Sequence, residues 1–206
     1  MNETHAIVFF LKFPEPGKVK TRLAAAVGSE HAMMIYRWMV ETSWENAEGP
    51  WQRLLSVAPA DKTEEFNQWL TPDFPAFAQV EGDLGKRIDN TVNMLFDRGF
   101  SKVLCVGGDC PTLDRELYAE AFRKLDIFDV CLSPATDGGY VMIGMNQPQP
   151  DLFNRIEWST EYVMEQTLEA AGQTGLSVGT TRAFSDVDTI EDYELLRGQM
   201  VIPSGA

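Results

Sequence analysis

The chain has 206 residues, 44% hydrophobic and 11% aromatic, enough to bury a sizeable core. It reads as one α/β domain over 1–206, with its core at about 6–198 and a tail at 199–206. A formal charge of −14 repels nucleic acid and anionic membrane surfaces, so neither is expected as a partner.

No apolar stretch reaches the roughly 18 residues of a membrane span, and Met1-Asn2-Glu3-Thr4-His5 lacks the basic region of a signal peptide. A soluble cytoplasmic location is therefore expected. The run Ile7-Val8-Phe9-Phe10-Leu11 predicts a buried strand over 6–11. It leads into Lys12-Phe13-Pro14-Glu15-Pro16-Gly17-Lys18-Val19-Lys20-Thr21-Arg22, which holds four basic side chains where the chain average gives about one. A Pro/Gly turn leaving a strand exposes backbone N–H groups, and flanking Lys and Arg make it a cradle for phosphate oxygens. Pro16, Gly17, Lys18, Lys20 and Arg22 are thus candidates for a nucleotide or sugar-phosphate site, the bland alternative being a solvated basic loop.

Further strands are predicted at 53–58, 76–80, 102–106, 130–134, 140–145 and 177–183. Between them lie amphipathic segments. A helix over 29–47 places Ala32, Ile35, Tyr36 and Met39 on one face, and Leu84, Ile88, Val92, Leu95 and Phe96 repeat that spacing up to a stop at Gly99. Helices are also predicted at 115–125, 160–171 and 190–198, with Gln147-Pro148-Gln149-Pro150 as a surface excursion. Strands alternating with amphipathic helices imply a mostly parallel sheet covered on both faces. Cys105 and Cys131 lie in apolar runs and read as small core residues. His5 opens a strand and His31 lies in a helix, so neither stands out as a general base.

Three acidic turns follow strands, at the carboxyl ends where open α/β sheets bind ligands. In Gly107-Gly108-Asp109-Cys110-Pro111 the glycines admit a close ligand and Asp109 is free for chemistry, because Thr112 or Asp114 can cap the next helix. Ala135-Thr136-Asp137-Gly138-Gly139-Tyr140 is either a plain hairpin or a second contributor to the site. In Phe184-Ser185-Asp186-Val187-Asp188-Thr189-Ile190-Glu191, Asp188 with Glu191 fits a capping box, whereas Asp186 has no structural task. If Asp109 and Asp186 converge, they repel by about 4 kcal/mol at roughly 4 Å and an effective dielectric near 20. A hard divalent cation, Mg²⁺ or Mn²⁺, reverses that sign and completes its shell with water and phosphate. In Glu81-Gly82-Asp83-Leu84-Gly85-Lys86-Arg87, Asp83 is the expected cap of a helix and Arg87 lies one turn in, within reach of an anion. Ser159 or Thr160 is the expected cap of another helix, and the neighbouring Trp158 either stacks on a sugar or packs.

Phe13 to Leu23, Gly82-Asp83-Leu84-Gly85, Gly108-Asp109-Cys110-Pro111, Asp137-Gly138-Gly139-Tyr140, Trp158-Ser159-Thr160 and Asp186-Val187-Asp188-Thr189 resemble, in order, a bacterial family of glycosyltransferases. It is the DUF2064 group, also described as transferase 1 associated with radical-SAM and selenium-domain proteins. The resemblance covers about residues 6–198. It implies a GT-A fold, a three-layer sandwich shared with nucleotidylyltransferases. It further implies a first loop around the nucleotide phosphates at Pro16 to Arg22, and a metal held by Asp109 with Asp186 or Asp188. A single carboxylate stands in the Gly-Asp-Cys-Pro turn where many glycosyltransferases carry Asp-x-Asp.

The resulting expectation is a Mg²⁺- or Mn²⁺-dependent transferase using a nucleotide-activated sugar. Asp109, Asp137 and Lys20 are the catalytic candidates, and Asp109, Asp186 and Asp188 the metal ligands. Pro16, Gly17, Lys18, Lys20, Arg22, Gly82, Asp83 and Arg87 are assigned to the nucleotide, and Asp137, Gly138, Gly139 and Trp158 to a small-molecule acceptor. Two alternatives stay open: a nucleotidylyltransferase joining an NTP to a phosphorylated acceptor, and a non-catalytic nucleotide-binding protein.

Overall fold

The structure, a computed structural model, describes residues 4–199. Among these, seven strands form one sheet: β1 (His5–Lys12), β2 (Gln52–Ala58), β3 (Phe77–Ala78), β4 (Lys102–Gly107), β5 (Val130–Pro134), β6 (Tyr140–Met145) and β7 (Val178–Thr180). Their order is β3-β2-β1-β4-β6-β5-β7. β1 runs parallel to β2 and β4, β3 to β2, and β7 to β5; β6 is antiparallel to both of its neighbours. The carboxyl ends of β1, β4, β5 and β7 therefore open on the same edge.

Seven α-helices cover the sheet within the described residues: α1 (Thr21–Val27), α2 (Ser29–Asn46), α3 (Thr63–Leu70), α4 (Leu84–Asp97), α5 (Arg115–Lys124), α6 (Val163–Thr174) and α7 (Ile190–Gln199). The period-2 geometry of β1 sends Ile7, Phe9 and Leu11 into one core, with Met39 of α2, Phe66 of α3, Tyr118 of α5 and Leu196 of α7. Ala6 and Val8 enter the other core, with Ile88 and Val92 of α4 and Ala171 of α6. Burial on both faces explains why β1 reads as a continuous apolar run. A fully buried side chain such as Phe9 contributes about 2–3 kcal/mol by leaving water. The result is the α/β fold expected, a mostly parallel sheet between two helical layers.

Two helix starts follow the sequence closely. Asp83 accepts from Lys86 N at 2.9 Å to cap α4, and Asp114 accepts from Leu117 N at 2.8 Å to cap α5. Gly99, at φ 92°, follows the end of α4 as expected.

Elsewhere the structure departs from the sequence reading. α1 begins inside the segment read as a basic loop, because Lys20 takes a left-handed turn (φ 46°, ψ 49°) and starts the helix at Thr21. α3 was not expected; it buries only Phe66 and Leu70 and has no side-chain cap. β3 and β7 are shorter than their apolar runs, since each pairs on one side only. α6 starts at Val163 rather than 160 and has no side-chain cap. Instead the Thr160 hydroxyl donates to Glu157 O at 2.7 Å and accepts from Tyr162 N at 3.3 Å, closing the turn ahead of the helix. Leu84, expected on the apolar stripe, is 42% exposed at the mouth of a cleft. The excursion at Gln147–Pro150 runs into a 3₁₀ turn, Pro150–Phe153, that buries Leu152 and Phe153. The expected tail lies outside the described residues except for Gln199.

Candidate active site

The loop after β1 is a turn closed by Lys18 N donating to Glu15 O at 3.1 Å, with Pro16 and Gly17 (φ 76°) as its central residues. Proline followed by a glycine at positive φ is the chemistry of a type II turn. Val19 is buried behind it and anchors the loop to the core. The basic side chains then part company. Lys18 is 69% exposed and pairs with Glu15 at 2.5 Å; Arg22 is 72% exposed, with Nη1 3.6 Å from Asp188 Oδ2. Lys20 turns inward: its side chain is 5% exposed, and Nζ donates to Asp109 Oδ2 at 2.8 Å and to Asp188 Oδ1 at 2.5 Å.

Asp109 leaves the end of β4 beside Gly108, where a Cβ would stand 2.5 Å from the Leu11 side chain and 2.8 Å from that of Val40. A larger residue there would have to displace the Leu11 or Val40 side chain or shift the turn. Val187 N donates to Asp109 O at 3.2 Å, and the Cys110 thiol donates to Ser185 O at 3.5 Å. Asn46 Nδ2 holds Pro111 O at 2.9 Å from the side of α2. The loops after β4 and β7 are thus stitched together by one backbone bond and one thiol–carbonyl bond, which bring their acids to one place. Burial pushes the Cys110 thiol up to about 11, so this cysteine serves as packing.

In the loop after β7 the cap differs from expectation. Asp192, not Glu191, closes the box: it accepts from Thr189 N at 2.8 Å and Asp188 N at 3.1 Å, and its own N–H donates to Thr189 Oγ1 at 3.3 Å. Thr189 is the capping residue, one position later than the sequence suggested. The Asp188 carboxylate is thereby released from capping and faces Lys20 and Arg22.

Asp109, Asp186 and Asp188 each bring a carboxylate oxygen within 4.8 Å of the others. Lys20 bridges two of them. Among the described residues none donates a hydrogen bond to the Asp186 carboxylate, and its carboxyl is pushed up to about 6 by burial and then by the charges of Asp109 and Asp188. Burial works against the Lys20 ammonium, but Asp109 and Asp188 outweigh it and hold its pKa above the usual lysine value. Three hard oxygen donors this close, one without a partner, fit a divalent cation such as Mg²⁺ or Mn²⁺.

The remaining sequence candidates are distributed as follows. Asp137 Oδ1 accepts from Gly139 N at 2.9 Å and closes its own turn, while Gly138 O accepts from Met164 N at 2.9 Å and ties the β5–β6 hairpin to α6. Asp137 and Gly139, with Asp109, Asp186, Phe10, Leu84 and Tyr140, line a cleft of about 240 Å³. A second depression of about 340 Å³ is lined by Lys12, Lys18, Lys20, Arg22 and Tyr36, and it meets the first at Asp109. Trp158 lines neither; it packs so closely on α4 that a Cβ at Gly85 would stand 2.6 Å from its ring. Gly82, Asp83 and Arg87 also lie outside both depressions. Arg87 braces its own loop, donating to Gly82 O at 2.9 Å and to Gln79 Oε1 at 3.3 Å.

Tyr36 was read only as a packing residue. Its buried hydroxyl donates to Lys12 O and accepts from Lys12 N, both at 3.2 Å, fixing the point where β1 becomes the basic loop. A phenol at the position of a helix stripe nearest the strand end was the available signal.

A family model described as an uncharacterized protein conserved in bacteria, DUF2064, matches residues 45–160. No curated protein matches the chain. A crystal structure from Desulfovibrio desulfuricans G20, described as a "putative nucleotide-diphospho-sugar transferase", is 36% identical over 94% of this chain and 86% of its own, with a TM-score of 0.89. Two more distant structures share the fold. The CMP:2-keto-3-deoxy-manno-octonic acid synthetase complexed with CTP is 11% identical over 96% of this chain and 98% of its own, with a TM-score of 0.57. Rv0371C from Mycobacterium tuberculosis H37Rv, in complex with manganese, is 12% identical over 96% of this chain and all of its own, with a TM-score of 0.55. With the family model spanning more than half of its length and a 36% identical relative along nearly all of it, the chain belongs to the DUF2064 family.

Proposed function

We propose that the protein is a divalent-metal-dependent transferase that takes a nucleotide-activated sugar as donor. The observation that carries this reading is the meeting of Asp109, Asp186 and Asp188 with Lys20 and Arg22 at one edge of the sheet. The 36% identical relative, described as a "putative nucleotide-diphospho-sugar transferase", and the manganese-bound fold relative support it. Asp109, Asp186 and Asp188 would hold Mg²⁺ or Mn²⁺, which when bound supplies neutralising charge to a diphosphate leaving group. Lys18, Lys20 and Arg22 neutralise the outer phosphate oxygens from the depression beside the acids. The backbone at Pro16 and Gly17 shapes that rim, while Gly82, Asp83 and Arg87, outside both depressions, serve only to brace the start of α4.

The acceptor enters over Asp137, Gly138 and Gly139, with Trp158 supporting the far wall through α4. Asp137 lines that route and has no cationic partner among the described residues, and it orients or deprotonates the acceptor hydroxyl. Calorimetry with UDP-, GDP- and ADP-sugars in the presence of Mn²⁺ tests this reading. It predicts metal-dependent binding of at least one; binding of none defeats it.

A second reading is favoured by the single carboxylate of the Gly108-Asp109-Cys110-Pro111 turn and by the CTP-bound fold relative. There the same residues would bind an NTP and pass a nucleotidyl group to a phosphorylated acceptor. Pyrophosphate release in an NTP screen selects it, and release of free NDP from an NDP-sugar excludes it.

A further inference from the structure

Three carboxylate oxygens within 4.8 Å of one another repel when charged, a cation among them relieves that repulsion, and the structure already supplies one to two of the three. The Lys20 ammonium lies 2.8 Å from Asp109 and 2.5 Å from Asp188, on a side chain that is 5% exposed. This placement is built into the backbone. Lys20 adopts the left-handed conformation at the start of α1, a costly one for a residue with a Cβ, and it does so between the buried anchors Val19 and Leu23. Asp186 is left outside the arrangement, with no hydrogen bond to its carboxylate among the described residues.

An ammonium and a divalent ion cannot share these oxygens comfortably. A metal such as Mn²⁺ binds carboxylate oxygens at about 2.0–2.2 Å and would face Lys20 Nζ at roughly 4 Å. At that distance a +2 and a +1 charge repel by about 8 kcal/mol even at an effective dielectric near 20. One group relieves the conflict. The diphosphate of a donor, arriving in the depression that Lys18, Lys20 and Arg22 line, offers the ammonium new oxygens and frees Asp109 and Asp188 for the metal.

We propose that Lys20 is a stand-in cation, one that holds the acid cluster in the absence of nucleotide and is drawn off by the donor's diphosphate, so that metal and nucleotide bind cooperatively. The proposal rests on the metal-dependent reading above and adds an order to it. Metal alone binds weakly, and the full three-carboxylate site forms only when a diphosphate is present. Lys20 thus positions the carboxylates in the free protein and the phosphates in the complex.

The test is Mn²⁺ binding, followed by electron paramagnetic resonance with MnCl₂ as the only ligand, in the wild type and in Lys20→Met. Deleting a competing cation is expected to tighten Mn²⁺ binding by about 10-fold or more, within the range of ordinary coupling energies. A merely structural lysine gives the opposite result, because its loss would loosen Asp109 and Asp188 and weaken the ion. Equal or weaker Mn²⁺ binding in Lys20→Met overturns the proposal alone, leaving the NDP-sugar calorimetry to judge the function. Absence of Mn²⁺ binding in both forms overturns the proposal together with the metal site.

Crystals of the wild type soaked in MnCl₂ alone give a second answer without a variant. Lys20 Nζ is expected to stay on Asp109 and Asp188, with no ion held by all three carboxylates. An ion on all three carboxylates in the absence of nucleotide refutes the exchange.

Discussion

Asp186→Asn makes the tension in the acid cluster measurable. The Asp186 carboxyl sits at about 6 in the folded protein against 3.8 in an unperturbed chain, first through burial and then through Asp109 and Asp188. A raised acid destabilises the fold in its charged form. The penalty is absent below pH 3.8, grows as pH rises towards 6 and is complete above that. The full difference corresponds to about 3 kcal/mol, and solvent screening of a partly exposed group lowers it to about 1–2 kcal/mol. Asparagine keeps the shape and removes the charge. In the metal-free protein at pH 8, Asp186→Asn should therefore raise Tm by about 2–8 °C for a chain of this size. The gain should shrink steadily as pH is lowered from 6 to 4, and Mn²⁺ should raise the Tm of the wild type by more than that of the variant. Differential scanning calorimetry across pH 4–8, with and without MnCl₂, reads all three. A lower Tm for the variant at pH 8, or a gain independent of pH, refutes the crowding argument.

Four further outcomes are expected. Because metal binding needs the ionised acid, Mn²⁺ affinity at saturating nucleotide should fall towards tenfold per pH unit below about 6, as read by calorimetry in non-chelating buffer. Thr189→Ala should cost about 1 kcal/mol in urea unfolding by opening the α7 cap, whereas Glu191→Ala should be near neutral because Asp192 makes the bonds. Tyr36→Phe leaves the Lys12 backbone groups without their side-chain partner and should cost about 1–3 kcal/mol by the same assay. Gly108→Ala drives a Cβ into Leu11 and Val40; a loss of about 1–3 kcal/mol should accompany weakened Mn²⁺ binding, because Asp109 follows the displaced turn.

What the sequence disclosed and what it withheld divide along physical lines. The central strands were legible because a strand buried on both faces shows as an unbroken apolar run, as at Ile7 to Leu11. The turns of Asp109 and Asp137 were legible because glycine or proline punctuates those strand ends, and that of Asp186 because its acids cluster between the last apolar run and the last helix. The caps Asp83 and Asp114 depend only on residues three positions apart, and both were readable. The α7 cap shows the limit of that reasoning. Asp188 with Glu191 and Thr189 with Asp192 offer the same spacing, and the choice between them depends on Lys20 and Arg22, which arrive from the other end of the chain. α3 escaped notice because a helix of eight residues with two buried side chains carries too short a period. Lys20 was readable as a basic residue, but its inward direction was not. That direction goes with one left-handed residue set between the buried Val19 and Leu23, a conformation no local pattern announces.

Where a divalent ion sits when nucleotide is present decides whether Asp109, Asp186 and Asp188 form a metal site. Crystals grown with MnCl₂ and the nucleotide that binds most tightly in calorimetry should show an anomalous peak at about 2.2 Å from oxygens of Asp109, Asp186 and Asp188, with Lys20 Nζ on a phosphate. A bound nucleotide whose manganese lies elsewhere, or which binds without manganese while Lys20 still bridges Asp109 and Asp188, contradicts it.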